Sequence, residues 1–380
     1  MEVGHYRTGQ LGCVKLTGAG DCLIGVYISE KLKQAWKFIK RPPWRTIVPA
    51  VSLLLLLFLA HAVWSPGYDV TDGRHDLSRN GIWLQHGWLG HNSWFIQYGK
   101  TDKLPRFRNV QRVRELAALL RHHHITDVFP HLCPTQPDGA IMPVDDRQTE
   151  MFLRELQGFR VLPWIGGVLD SDVAPDNAQR RKVFVNSIKD LLHKHPKFAG
   201  VHLNVEPWPS GHKEMLVLLE EIRQALPAGK ILSVAAYPPP TFWHRFPEVH
   251  WEQAYFKQVA QRVDQMAVMM YDTSLKDGKL YQNLMRSWTQ QVLDWSQVAS
   301  GQKSPVILLG VPTYDDAGVG YHNPDVENLA NALPGIHASL GRSAQLPAHY
   351  QGVAIYCEWE TTEPEWQHLR EHFLKLSGQH

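Results

Sequence analysis

The sequence predicts an α/β chain, a (β/α)8 TIM barrel preceded by an N-terminal transmembrane helix, on three observations. Short apolar runs alternate eight times with amphipathic stretches, the rhythm of a barrel in which each strand feeds a helix. Ahead of them lies one unbroken apolar segment, IVPAVSLLLLLFLAHAVW, residues 47–64. The fourth run, FAGVHLNVEPW (198–208), sets His202, Asn204 and Glu206 at every second position between Val201, Leu203 and Val205. A strand reads this way when one face packs helices and the other lines a polar interior.

Composition sets the bounds. The 380 residues are 44% hydrophobic and 20% charged, enough to bury a large core. The net charge of +2 is unevenly spread: residues 1–46 hold eight Lys and Arg against three Asp and Glu, so +5 there leaves −3 for the rest. No broad basic face remains for a phosphate backbone, which excludes nucleic acid as the main partner. Four cysteines are too few for a disulfide scaffold; Cys13 and Cys22 precede the apolar segment, so only Cys133 with Cys357 is worth testing as a bridge. The 14 Trp stand out, since indole faces outside a core suit flat partners.

Residues 1–46 are predicted to be a cytoplasmic segment and 47–64 a membrane anchor or signal. Eighteen helical residues at about 1.5 Å each just cross a hydrocarbon core. The flank of Lys31, Lys33, Lys37, Lys40, Arg41 and Arg45 keeps the N-terminus cytoplasmic. Ala60-His61-Ala62 has the form of a signal-peptidase site, but the 46-residue lead is longer than an ordinary n-region and favours an uncleaved anchor. Both readings export the rest of the chain. No Asn-x-Ser/Thr sequon occurs, which favours a bacterial inner membrane crossed once, with the barrel on the periplasmic or extracellular side.

A polar linker (65–79) leads into the barrel domain (80–378). Its strands are predicted at 82–86, 126–132, 160–165, 200–206, 231–237, 263–271, 306–312 and 353–358. Helices such as 110–122 and 214–226 carry apolar residues at i, i+3, i+4 and i+7. A doubly wound open sheet is the alternative, but QHGWLGHNSW after the first strand is no Gly-x-Gly-x-x-Gly turn. No repeat of solenoid or propeller length appears.

In the barrel, Val201, Leu203 and Val205 face the helices, and His202, Asn204 and Glu206 face the lumen, rising toward the C-terminal mouth where active sites of this fold sit. Glu206, the last, stands where a catalytic acid belongs. Asp272 follows Tyr271 after strand six, Tyr314 and Asp315 follow strand seven, and Glu358 and Glu360 bracket Trp359 after strand eight. Trp88, Trp164, Trp208, Tyr237 and Trp243 lie toward the same end. Aromatic faces interleaved with carboxylates and an amide suit a sugar: rings stack on its apolar faces, hydroxyls find acceptors, and a carboxyl of raised pKa can protonate a glycosidic oxygen.

These segments resemble the family 18 glycoside hydrolases, the chitinase-like barrels. WIGG (164–167) is similar to that family's Ser-x-Gly-Gly, AGVHLNVE (199–206) to its Asp-Gly-x-Asp-x-Asp-x-Glu, MMYD (269–272) to its Met-x-Tyr-Asp, LGVPTY (309–314) to its Leu-Gly-x-Pro-x-Tyr, and GVAIYCEWE (352–360) to its strand-eight segment. The resemblance implies Glu206 as general acid, Asn204 in place of the Asp that orients the substrate's 2-acetamido group, Tyr271 bonded to the acetamido carbonyl and Trp359 as the floor of that sugar's subsite. The strand-four motif is divergent: the family's three Asp positions are Ala199, His202 and Asn204.

The expected catalytic set is therefore Glu206, Asn204, Tyr271 and Asp272, with His202, Trp208, Tyr237, Tyr314, Glu358 and Trp359 binding substrate. The leading reading is an exported, membrane-anchored glycoside hydrolase acting on a β-linked polysaccharide or glycan containing N-acetylhexosamine. A variant drops substrate assistance and gives Glu358 or Asp272 the role of nucleophile or base. The alternative is a non-catalytic carbohydrate-binding or exopolysaccharide-scaffold barrel. No metal and no cofactor are expected: among 21 His, only His86, His131 and His202 fall on or near strand ends, without a His-x-His on strand one, and the triplet His122–His124 closes a helix. Neither a Gly-x-Ser-x-Gly elbow nor a cofactor motif occurs.

Overall fold

The computed structural model describes residues 44–242, 246–298, 301 and 303–375; most of the basic lead, Cys13, Cys22 and Trp243 lie outside them. The chain divides into two compact units, one ending at Trp64 and the other beginning at Ser65. In the first, the described part is a helix, α1 (Trp44–Val63), whose stretch Thr46–Val63 is long and apolar enough to cross a membrane. A run of five leucines leaves this helix no polar face.

The second unit is an α/β fold built on a curled parallel sheet. Its strands are β1 (Asn80–Leu84), β2 (Ile125–Pro130), β3 (Arg160–Val161), β4 (Trp164–Val168), β5 (Gly200–Glu206), β6 (Ile231–Ala236), β7 (Gln265–Val268), β8 (Val306–Pro312) and β9 (Tyr350–Tyr356). The order is β3-β2-β1-β9-β8-β7-β6-β5-β4. Its two edges, β3 and β4, are successive pieces of one segment, Arg160–Val168, so the sheet curls back on itself, as in a (β/α)8 barrel. Strand three was expected to run unbroken over 160–165. It divides at Leu162-Pro163 because proline has no N–H for the ladder.

Helices α2 (Val110–His122), α3 (Asp146–Glu155), α4 (Ala178–Lys194), α5 (Lys213–Ala225), α6 (Gln253–Ala260), α7 (Gly278–Trp295), α8 (Leu329–Leu340) and α9 (Glu363–His372) alternate with the strands. Most start where a side chain caps free backbone amides: Asn109, Asp145, Asn177, His212, Asp277 and Asn328 each accept from an N–H in the first turn. Val201, Leu203 and Val205 pack into the continuous apolar layer beneath these helices. Trp83, Phe129, Leu162, Trp164, Ala267, Leu308 and Ala354 form a separate inner cluster.

The polar stretch 65–79, expected to be a linker, is built into the second unit. The buried Asp76 accepts from Asn80 Nδ2 (3.1 Å) and the Lys375 amide (3.1 Å) and pairs with His124. In the triplet, His123 is buried, with Nδ1 against the Leu119 carbonyl (2.8 Å). Cys133 and Cys357 are buried and unpaired, so the bridge considered between them does not form.

Candidate active site

The lumen is filled in layers from the bottom upward. Lowest is a polar layer, in which Asp127 on β2 takes a bidentate pair from Arg160 (2.5 and 2.7 Å) and further bonds from Gln265 (2.5 Å) and Gln351 (2.7 Å). Above it, Trp83 Nε1 donates to His202 Nε2 (3.1 Å), which leaves Nδ1 to donate to Ser233 Oγ (2.8 Å). The imidazole stacks on Phe129 at 4.1 Å. Burial lowers its pKa to about 3, so His202 is neutral, and being fully buried it supports the site from below without lining it.

Asn204 and Glu206 come next on β5, two and four residues above His202. Opposite them, β4 places Gly166 beside Asn204 and Val168 beside Glu206. Asn204 Nδ2 donates to Glu206 Oε1 (2.7 Å) and the Tyr237 hydroxyl to Oε2 (3.4 Å). The buried Asn204 Oδ1 has no hydrogen-bond partner. Glu206 is exposed to a cavity of about 660 Å3, yet the protein around its carboxyl displaces most of its bulk hydration. That desolvation raises its pKa, the hydrogen bond from Asn204 opposes the rise, and the negative charge of Asp272 adds to it.

The same cavity is lined by Trp83, Asn204, Tyr237, Tyr271, Asp272, Tyr314, Asp316, Tyr321 and Tyr356. Tyr271 and Tyr356 stack at 5.4 Å, and Tyr314 stands edge-on to both, at 5.8 and 5.1 Å. The Tyr314 hydroxyl donates to Asp272 Oδ1. Asp272 sits at φ +62, a left-handed conformation that Asp tolerates better than most residues; it turns the chain at the strand end, with the carboxylate on the cavity. Burial raises the pKa of Tyr237, Tyr271 and Tyr314, so all three stay phenols able to donate.

Of the ten residues expected to act, six line this cavity: Asn204, Glu206, Tyr237, Tyr271, Asp272 and Tyr314. The other four do not. His202 lies beneath it. Trp208 is fully buried in the outer layer, its Nε1 donating to Tyr255 (2.7 Å), because the chain turns outward past Glu206. Glu358 lines a different cavity, of about 540 Å3, with Trp88 and Arg106, and accepts from Gln85 and Trp88 (3.3 Å each). Burial raises its pKa against those bonds. Trp359 is half-buried beside the site, edge-on to Tyr356 at 5.7 Å, its indole N–H tied to Glu360 (3.0 Å); Tyr356 is the ring that faces the cavity. Trp83, Tyr356, Asp316 and Tyr321 were not anticipated. Trp83 and Tyr356 lie on strands β1 and β9, where an aromatic reads the same from either face; Asp316 and Tyr321 sit on one loop with no pattern of its own.

His86, His131 and His202 do not converge on one point. His86 and His131 face each other through Nδ1 at 3.2 Å, and both nitrogens of His202 are engaged as above.

A curled parallel α/β sheet whose cavity opens at the strand C-termini, with an acid, an amide and tyrosines around it, defines a glycosidase-type barrel. Residues 133–371 match the model of the glycosyl hydrolases family 18, and the chain belongs to that family of glycoside hydrolases. No curated protein matches the chain. Similar solved structures include the Bacillus cereus spore cortex-lytic enzyme SleL, at 12% identity and TM-score 0.48, covering 78% of this chain and 74% of that one. A chitinase from Chromobacterium violaceum aligns at 14% identity and TM-score 0.48, over 77% of this chain and 98% of that one. A fungal endo-β-N-acetylglucosaminidase of family 18 aligns at 12% identity and TM-score 0.46, over 78% and 96%.

Proposed function

We propose that the chain is an exported, membrane-anchored glycoside hydrolase that cleaves a β-linked glycan containing N-acetylhexosamine, with Glu206 as general acid and base. The observation that carries the reading is the carboxyl of Glu206, raised in pKa and held by Asn204 and Tyr237 at the edge of an aromatic cavity. A carboxyl kept protonated toward neutral pH can deliver its proton to a glycosidic oxygen.

In the first step the acetamido carbonyl oxygen attacks the anomeric carbon, the glycosidic bond breaks, and the leaving oxygen takes the Glu206 proton. The sugar is then a cyclic oxazolinium-like cation. In the second step water adds to the anomeric carbon, its proton passes to the Glu206 carboxylate, and the ring opens to restore the acetamido group. Asn204 Oδ1, an acceptor without a partner, suits the acetamido N–H, and Tyr271 lies on the same cavity to bond the carbonyl. Asp272 faces that cavity too, which supports a second reading with Asp272 as nucleophile or base. Measuring the distance between its carboxyl and that of Glu206 with sugar bound separates the two: about 5–5.5 Å for a retaining pair and about 6.5–9.5 Å for an inverting one.

Anchoring is supported by α1, and export on the far side of the inner membrane by the basic flank before it. Incubating the full chain, in detergent, with bacterial and chitin-type polysaccharides should release reducing ends. Glu206→Gln should abolish release while retaining binding; binding by the wild-type chain with no product over long incubation favours a scaffold.

A further inference from the structure

We infer that His322 is a positioning residue: an imidazolium between Glu327 and Asp272 that holds the Asp272 carboxylate toward the reacting sugar, where Asn204 carries no charge. The inference rests on the reading of Glu206 as the acid.

The protonation state follows from geometry. His322 is buried, and its Nε2 lies 3.0 Å from the carbonyl oxygen of Tyr314. A carbonyl only accepts, so Nε2 carries a proton. Nδ1 lies 3.3 Å from Asp272 Oδ1 and 3.7 Å from Glu327 Oε2. Neither contact has hydrogen-bond geometry, so charge decides: left unprotonated, Nδ1 would turn a lone pair on two carboxylates, and protonated, it sets a positive charge between them. Glu327 has a side chain closed to solvent, and its oxygens share the Thr273 amide at 3.1 and 3.2 Å. A buried carboxylate needs a cation nearby, and among the described residues its ion pair is with His322.

The surroundings lock the arrangement. The Tyr314 ring lies flat on the imidazole at 3.9 Å while its hydroxyl holds Asp272 Oδ1, the same atom His322 faces. The titratable groups in contact with the ring are Asp272, Tyr314 after β8 and Glu327 in its own loop, two carboxylates and a phenol. Burial pulls the imidazole pKa down, but the two carboxylates, Asp272 and Glu327, outweigh it and leave it at about 9. The cluster could also hold a divalent cation. The imidazolium is favoured because Nε2, bonded to the Tyr314 carbonyl, already carries a proton, so a second proton on Nδ1 balances the two carboxylates without an ion.

The full chain in detergent, labelled with 15N-histidine, reads the state directly: His322, assigned by its contacts to the Tyr314 ring, should have both ring nitrogens protonated at pH 7 and titrate near pH 9. A neutral His322 at pH 7 overturns the inference, as does a stoichiometric shift of its signals by Zn2+ or Mn2+. With a tetramer of β-1,4-linked N-acetylglucosamine as probe, His322→Gln should lower kcat by about 10²-fold, with KM little changed and the limb near pH 9 lost. An effect on KM alone, or an unchanged pH profile, counts against the role. If the wild-type chain leaves the tetramer intact, it is the hydrolase reading that fails, and the nitrogen spectrum still decides the state of His322.

Discussion

Asn204 Nδ2 donates to Glu206 Oε1 at 2.7 Å, which leaves Asn204 Oδ1, buried and without a partner, as the free end of the amide. An unpaired buried acceptor costs on the order of 1–3 kcal/mol, a cost that a substrate N–H removes. Asn204→Ala deletes both the donor to Glu206 and the acceptor, so kcat/KM on an N-acetylated oligosaccharide should fall by about 10²-fold or more. Asn204→Asp should stay active with a shifted profile, because a second carboxyl at hydrogen-bond distance opposes ionisation of Glu206 and moves the alkaline limb upward. A pH–rate profile of the two variants checks both outcomes.

The raised pKa of Glu206 also bears on stability. Desolvation penalises the ionised form, so the fold loses nothing below the pKa of an unfolded glutamate. The penalty grows as pH rises from there through the folded value. Glu206→Gln should therefore raise Tm at pH 7–8 and leave it nearly unchanged near pH 4, which thermal scans at the two pH values measure. Asp272→Asn removes a charge that helps hold the Glu206 pKa up and should move the alkaline limb of activity downward.

Much of this was legible in the sequence where alternation is strict. β5 and β8 begin and end at the expected residues, 200–206 and 306–312, because a period of two with clear flanks fixes both face and ends. Asn204 and Glu206 follow from that parity. It fails beyond the strand end: Trp208 and Glu358 lie only two residues past β5 and β9, yet the turning backbone sends one to the outer core and the other to a different cavity. Tyr356 went unread for the opposite reason, since an aromatic at the end of a strand looks in sequence like one more core residue. The break in strand three was visible in Pro163, but the proline alone does not say that the strand resumes.

The Trp-Ile-Gly-Gly segment has a physical requirement. Gly166 sits at φ +128, and a Cβ there would stand 1.9 Å from the Asn204 carbonyl oxygen. Neither the dihedral nor the space admits a side chain. Gly166→Ala should displace the backbone of Asn204 and with it the amide that holds Glu206, so activity should fall at least as far as in Asn204→Ala. A crystal structure of the variant with Asn204 unmoved would refute this coupling.

Glu358 offers a contrasting test, because it shares the chain end with the site but not the cavity. Its carboxyl is held by Gln85, Trp88 and, at 3.8 Å, Arg106. If a second carboxylate takes part in the chemistry, the cavity makes Asp272 the candidate. Glu358→Gln should then keep kcat within about threefold, while Asp272→Asn loses about 10²-fold or more. Equal losses in the two would return Glu358 to the mechanism.

Below the site, Asp127 tests what holds the lumen together. It is fully buried, with a bidentate bond from Arg160 and amide bonds from Gln265 and Gln351, so four donors from β3, β7 and β9 meet on one carboxylate of β2. Removing that acceptor turns the partly exposed Arg160 guanidinium to solvent and leaves each amide one remaining bond, Gln265 to Gln351 Oε1 (3.3 Å) and Gln351 to the Arg79 carbonyl (2.8 Å). Asp127→Ala should destabilise the second unit by about 1–3 kcal/mol, read as a lower denaturant midpoint. Asp127→Asn keeps the shape and one acceptor oxygen but loses the charge, and should fall between. Because the layer of His202, Trp83 and Phe129 separates Asp127 from Glu206, the pH profile of any protein that remains folded should match the wild type. A shifted profile would mean that the bottom of the barrel sets the height of β5, and with it the position of Glu206.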